Sequence, residues 1–291
     1  MSRPVSRPVV RSRDEPVTGR VGGVGHGGAV DLFADDPMAR PLTYPGRVPA
    51  GSGVLMDDAY VPLRVEGGER DRWRADGVSL GALLAREGAE PMRGRHRVVA
   101  VGSNAAPGQL RAKFRDHGVR PLVPMTAADV TGVVPGVSAH VSRWGYVPAA
   151  PIAAPGETAG LFVLWLDEEQ LAALDLTEPN YVRRPLAARV VVAAGAPLTG
   201  VFVYEGRHGC VADGHGRPRR LTSQRALVQS LLEASPSLRH VCGDTPEDFV
   251  ANVRDDTVRA EASRILQAEH RTGAGRVGLR ERHPDSPSPH R

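Results

Sequence analysis

Lysine is almost absent from this chain: of its 37 basic residues, only Lys113 is not an arginine. We read that as a compositional bias and not as a phosphate-binding device. Cysteine is nearly absent too. Cys210 and Cys242 are too few for a disulfide scaffold, and a reduced cytoplasmic setting is expected. The longest apolar runs fall far short of the roughly 20 residues a membrane-spanning helix needs. The start, MSRPVSRPVVRSRDEP, has basic residues without an apolar stretch, which argues against a secretory signal.

What is present is 291 residues, 41% of them hydrophobic, with 33 glycines and 25 prolines. That length allows one large domain or two small ones and a core of useful size. The net charge of +4 sits at the ends: residues 1–20 and 271–291 each hold five arginines against two acids, which leaves the middle near −2. A basic nucleic-acid-binding face on the folded part is therefore not expected, nor is a membrane partner.

The pattern divides the chain. Residues 1–28 and 271–291 are rich in Arg, Pro and Gly and are expected to be disordered. Residues 29–95 read as an extension that wraps the main domain with little core of its own. Within it Asp31 to Ala39 suits a short helix, and VSLGALLAREG (78–88) suits an amphipathic one with Leu80, Leu83 and Leu84 on one side. The main domain is placed at 96–270. RVVAVGSN (97–104) reads as a buried strand entering a tight turn, and PGQLRAKFRDHG (107–118) as a helix that Pro107 starts and Gly118 ends. Residues 130–148 suit one bent strand or two short ones, and TAGLFVLWL (158–166) a buried strand. A short helix at 167–175 has acids in its first turn. An antiparallel pair, 182–193 with 198–206, is expected around 194–197. Helices close the chain at 221–235, capped by Thr222 or Ser223, and at 245–270, as one or two pieces behind Thr245 and Pro246. Strands with short connections followed by helices predict an α+β fold, with a mixed, largely antiparallel sheet curled toward a barrel and helices outside.

Several patterns carry little. Gly23 to Gly28 satisfies the dinucleotide-binding spacing, but no strand precedes it and no βαβ unit follows, so chance explains it. His208, Cys210, Asp213 and His215 share RHGCVADGHG, yet zinc ligands usually come as two close pairs, and a solvated loop is the better reading. Ser103 lies in no nucleophile elbow. The turn around it matters for another reason: a strand ending in Gly-Ser-Asn before a helix presents N–H groups that suit a carboxylate or a developing oxyanion. Glu178, after a short helix and before a strand, is placed where partial desolvation would make a carboxylate a general base. Each segment alone also fits an ordinary turn or a solvated acid. Trp144 and Tyr146 stand two apart, on one face of a strand, with core packing as the default and a pocket wall as the alternative. Asp175 reads as a structural acid, and neither cysteine is assigned a role.

VGSNAAPGQL, TAGLFVLWLDEEQLAALDLTE and YVRRPLAARVVV occur in one order, and that order resembles the gamma-glutamylcyclotransferase-like family. The matching positions are Gly102-Ser103-Asn104, the strand Gly160 to Leu166, Leu174-Asp175, Glu178 and Tyr181-Val182-Arg183, spread over residues 97–206. Two positions depart from the pattern. Val101 stands where an aromatic residue is usual, and Pro179 where the catalytic Glu is commonly followed by Gly. Both bear on which amide the site would take.

The resemblance implies a metal-independent lyase or acyl transferase without a cofactor. In it Glu178 moves a proton while the substrate's own α-amine attacks its γ-carbonyl, giving 5-oxoproline and a free amine or amino acid. Val101, Gly102, Ser103, Asn104 and Ala105 would hold the substrate, with Tyr181 and Arg183 in support. Tyr181 positions the carboxylate or packs under the sheet; Arg183 would take a substrate carboxylate bidentately. The alternatives are a non-catalytic small-molecule binding or interaction module on the same fold, and amide hydrolysis or amine transfer at the same site. The expectation that separates them is geometric: Glu178 and the 102–105 amides should face one concavity about one small substrate across.

Overall fold

The computed structural model describes residues 31–193 and 195–272. The tail 1–28, nearly all of 271–291 and the glycine pattern at 23–28 lie outside the described residues. The chain turns first through 31–39, where a helix was expected. Instead Asp31 and Asp36 each accept the backbone N–H two residues on, from Phe33 and Met38. Such local bonds compete with helix formation, and Pro37 interrupts the segment.

Strands β1 (Gly53–Met56), β2 (Ala59–Arg64), β3 (Arg74–Ala75) and β4 (Val78–Ser79) lead into α1 (Leu80–Arg86), which Ser79 caps. Then come β5 (His96–Ala100), α2 (Pro107–Asp116), β6 (Leu122–Val137), β7 (Ala149–Leu166) and α3 (Glu168–Thr177). β8 (Tyr181–Pro185), β9 (Arg189–Val191), β10 (Val201–Gly206) and β11 (Cys210–Val211) follow. The described residues end with α4 (Gln224–Ala234), α5 (Pro236–Cys242), α6 (Pro246–Asn252), α7 (Asp256–His270) and β12 (Arg271–Thr272).

The fold is α+β. Ten strands form one sheet in the order β4-β3-β2-β1-β6-β7-β5-β10-β8, with β9 paired to β6; β11 and β12 pair separately. Among the described residues only β5 with β10 is parallel. The strand path is open, so the expected barrel-like closure is not made by strand pairing. The expected pair 182–193 with 198–206 is also redrawn. Tyr181–Pro185 does pair with β10, but Arg189–Val191 pairs with β6.

The extension does not wrap the sheet; it is part of it. β1 pairs with β6 from Gly53↔Met125 to Met56↔Leu122, so the boundary drawn at 95/96 is crossed by a strand ladder. Leu80, Leu83 and Leu84 join Trp73 and Trp165 in one buried cluster. The physical reason lies in the alternation of side chains along a strand. In β7, Leu161, Val163 and Trp165 face that cluster, while Phe162, Leu164 and Leu166 face a second one built with Leu110 and Phe114 of α2 and Leu171 and Leu174 of α3. A strand buried on both faces needs a cover on each, and the extension is one of them. A third cluster holds α4 to α7 against Val137, Val141 and Val147. No helix among the described residues is long and apolar enough to cross a membrane.

Candidate functional site

α2 presents two faces. Leu110 and Phe114 are fully buried in the core. Gln109 and Lys113, four apart and therefore on one side of the helix, line a cavity of about 520 Å³. The 3₁₀ turn Ser103–Ala105 joins β5 to α2. Within it the Ala105 N–H donates to the Gly102 carbonyl and the Ala106 N–H to the Ser103 carbonyl. No backbone carbonyl among the described residues accepts from the N–H groups of Gly102, Ser103 or Asn104.

From the other side, α3 begins with a capping box between Asp167 and Gln170 and ends at Glu178, its C-cap residue. The Tyr181 N–H donates to the Glu178 carbonyl, closing a turn with Pro179 second. Proline is favoured at that position, which gives Pro179 a local reason to stand where the resembled family carries glycine.

The turn and the carboxylate meet. Asn104 Nδ2 donates to Glu178 Oε1 over 2.9 Å. Lys113 Nζ donates to the same oxygen over 2.7 Å and to Asn104 Oδ1 over 2.7 Å. The Glu178 side chain is 11% exposed and that of Lys113 19%, so the pair is largely shielded from water. The contact is made by the Asn104 side chain, not by the 102–105 backbone amides that the sequence reading set about one small substrate across from the carboxylate.

Tyrosines complete the walls. Four of the chain's five, Tyr44, Tyr146, Tyr181 and Tyr204, line the cavity. Tyr44 stacks on Tyr146 with ring centres 4.3 Å apart. Its hydroxyl accepts the Ala149 N–H at 2.9 Å, and the Tyr181 hydroxyl donates to the Ala149 carbonyl at 2.7 Å. One residue at the start of β7 is thus held through both its N–H and its carbonyl. Burial pushes the Tyr44 phenol up to about 12, against the pull of the Ala149 amide and with the nearby Glu178 charge adding to the rise. Burial raises Tyr146 and Tyr181 as well, and Glu178 adds to both.

His140, 4% exposed, also lines the cavity. Its Nδ1 is 2.8 Å from Ser138 Oγ. Its ring lies 4.4 Å from that of His208, and burial, with His208 beside it, holds its imidazole down to about 3. His140 is neutral at physiological pH.

Of the residues singled out in the sequence, Val101, Gly102, Ser103, Asn104, Glu178 and Tyr181 line this cavity together. Ala105 does not; it is packed in the core beside Leu110. Arg183 does not either. Its Nε and Nη2 both reach Asp175 at 2.9 Å, and the Tyr204 hydroxyl donates to the same carboxylate at 2.7 Å. A guanidinium held bidentately inside the protein is not placed to take a substrate carboxylate. Trp144 and Tyr146 belong to the loop between β6 and β7, not to a strand, and line the cavity rather than the core. The loop sequence around His208 assembles no metal site: no group of three or more His, Cys, Asp or Glu able to hold a metal ion is found among the described residues. Asp213 is instead turned to the His215 and Arg217 amides. Cys210 and Cys242 are free and buried.

Lys113, Tyr44 and His140 were missed. Lys113 alone had a sequence signal, as the single lysine. The tyrosines lie on segments up to 160 residues apart, from Tyr44 to Tyr204, and no local pattern joins them. Compared with the known protein families, with the curated proteins and with the solved structures, the chain matches none.

Proposed function

We propose that this chain is a cytoplasmic enzyme of gamma-glutamylcyclotransferase type, in fold and in chemistry. It would cleave a γ-glutamyl or related small-molecule amide by ring closure. The observation that carries the reading is the 2.9 Å hydrogen bond from Asn104 to Glu178, which joins the amide-bearing turn to the carboxylate on one cavity wall.

The reaction has modest demands. The α-ammonium of the substrate gives a proton to the Glu178 carboxylate. The freed amine attacks the γ-carbonyl carbon, and a C–N bond forms. Charge gathers on the carbonyl oxygen, where the N–H groups of Gly102 and Asn104 supply donors. The bond to the leaving nitrogen then breaks as Glu178 returns the proton to it; the second proton, shed by the ring nitrogen as the lactam forms, leaves with the released amine as its ammonium. The products are 5-oxoproline and a free amine or amino acid. Because attacker and carbonyl belong to one molecule, orientation supplies most of the acceleration; well-aligned intramolecular reactions reach effective molarities on the order of 10⁵–10⁸ M. As written, no step calls for a metal or an organic cofactor. A cavity of about 520 Å³ is of ordinary size for a ligand of that kind.

The test is incubation with a panel of γ-glutamyl dipeptides and γ-glutamyl amines, reading 5-oxoproline. The Glu178→Gln protein should lose at least about 10²-fold in rate and still bind the panel in thermal-shift measurements. Undiminished turnover by Glu178→Gln overturns the mechanism.

One observation favours a second reading. Glu178 is already paired with Lys113, as a carboxylate in a non-catalytic binding module would be. Stabilisation by γ-glutamyl compounds with no 5-oxoproline formed would select that reading. Release of free glutamate would select hydrolysis at the same site.

A further inference from the structure

Arginine carries every basic charge in this chain but one, and the exception faces the proton acceptor. Two other acids show what a guanidinium does here to a carboxylate. Arg183 reaches both oxygens of Asp175, and Arg120 both oxygens of Asp57. The planar fork can match both oxygens of a carboxylate, although other arginines take one oxygen only, as Arg111 and Arg115 do on Asp58.

Lys113 acts differently. Its ammonium touches one oxygen of Glu178, Oε1, and turns a second proton to Asn104 Oδ1. That contact fixes which way the Asn104 amide faces, so Asn104 Nδ2 donates to the same Oε1. The three contacts close a ring on a single oxygen. Among the described residues, no hydrogen bond reaches Oε2. A compact ammonium with rotatable protons can serve a carboxylate oxygen and an amide oxygen at once without covering the second carboxylate oxygen.

We propose that Lys113 is a positioning residue: with Asn104 it clamps Oε1 of Glu178 and leaves Oε2 as the atom that exchanges protons with the substrate. The inference rests on the ring-closure reading and adds to it the atom that does the work. It also gives a reason for one lysine in a chain otherwise committed to arginine.

The experiment compares Lys113→Arg with Lys113→Met in the full chain. If charge were all that mattered, Lys113→Arg would be the milder change. The clamp requires the reverse order. Lys113→Arg should lose about 10²-fold in kcat, because the fork covers Oε2, while Lys113→Met, with Oε2 open and Asn104 still holding Oε1, should lose about tenfold. In both, KM should stay within about threefold, and an unfolding transition close to the parent's confirms the fold. Added propylammonium should restore part of the rate to Lys113→Ala, which a packing role would not allow. A Lys113→Arg protein as active as the parent, or more active than Lys113→Met, overturns the proposal.

A second measurement does not depend on turnover. Protein labelled with ¹⁵N-lysine has one side-chain ammonium, so its nuclear magnetic resonance signal is unambiguous. That signal should be protected from solvent exchange in the parent, and the protection should fall in Glu178→Gln and in Asn104→Ala. No 5-oxoproline with a protected signal would sink the ring-closure reading and leave the clamp standing. A signal as exposed in the parent as in the two variants sinks the clamp itself.

Discussion

A methyl group on Gly102 would lie 2.5 Å from the Tyr44 hydroxyl oxygen and 2.9 Å from Ala149 Cβ, so this position takes no side chain while Tyr44 holds the Ala149 peptide. Gly102→Ala should cost about 1–3 kcal/mol by overpacking. Tyr44→Phe should cost a similar amount, about 1–3 kcal/mol, by leaving the Ala149 N–H without an acceptor. Because both changes act on one contact, urea unfolding of the double variant should show less than their sum. Arg183→Met separates structure from binding: it breaks the bidentate pair with Asp175 and should lower the melting temperature while, under the ring-closure proposal, KM for a γ-glutamyl compound stays within about threefold of the parent. His140 gives a pH dependence with a definite sign. An unfolded histidine takes up a proton near about 6.5, whereas the folded one stays neutral down to about 3. Between those values the unfolded state binds the extra proton, so stability falls as pH falls, by up to about 1.4 kcal/mol per unit. His140→Gln should flatten the curve of unfolding free energy against pH between 7 and 5; an unchanged slope would remove His140 as its source.

At the scale of elements, local signals placed what local physics governs. α1 begins at a Ser79 cap, α2 at Pro107, and α6 at a Thr245 capping box with Pro246 in its first turn. Ser223, not Thr222, caps α4. α5 was not expected: the helix drawn over 221–235 ends at Ser235, yet Ser235 caps a new helix that Pro236 begins. Trp144 and Tyr146 alternate as a strand would, yet the Tyr146 carbonyl accepts the Ser142 N–H, and the segment turns on itself as a loop. β9 fits its expected partner by pattern, but the β6 edge at Asp129–Thr131 takes it instead. The pattern of a strand says which faces are apolar; it does not say which neighbour binds them.

For the whole molecule, the decisive feature is that the first described strands close one edge of the sheet. Val54, Leu55, Leu80 and Leu84 are fully buried, and each such side chain is worth about 1.5–3 kcal/mol. A chain begun at residue 96 should therefore show no cooperative unfolding transition; a sharp transition from that fragment would restore the view of 29–95 as a mere wrapping. The same edge carries Tyr44 to the cavity, so the fragment would lack a wall of the site as well. Sequence alone determined several of the helices and their caps, the buried strand at 158–166, the α+β class and the two stretches worth watching, because those follow from periodicity and capping chemistry within a few residues. Only the tertiary structure decided that Lys113 and Asn104 share one oxygen of Glu178, that Arg183 is held by Asp175, and that four distant tyrosines surround them. Lys113 and Asn104 reach Glu178 across 65 and 74 positions; such contacts depend on which sheet edge and helix face come together, and no window along the chain contains that information.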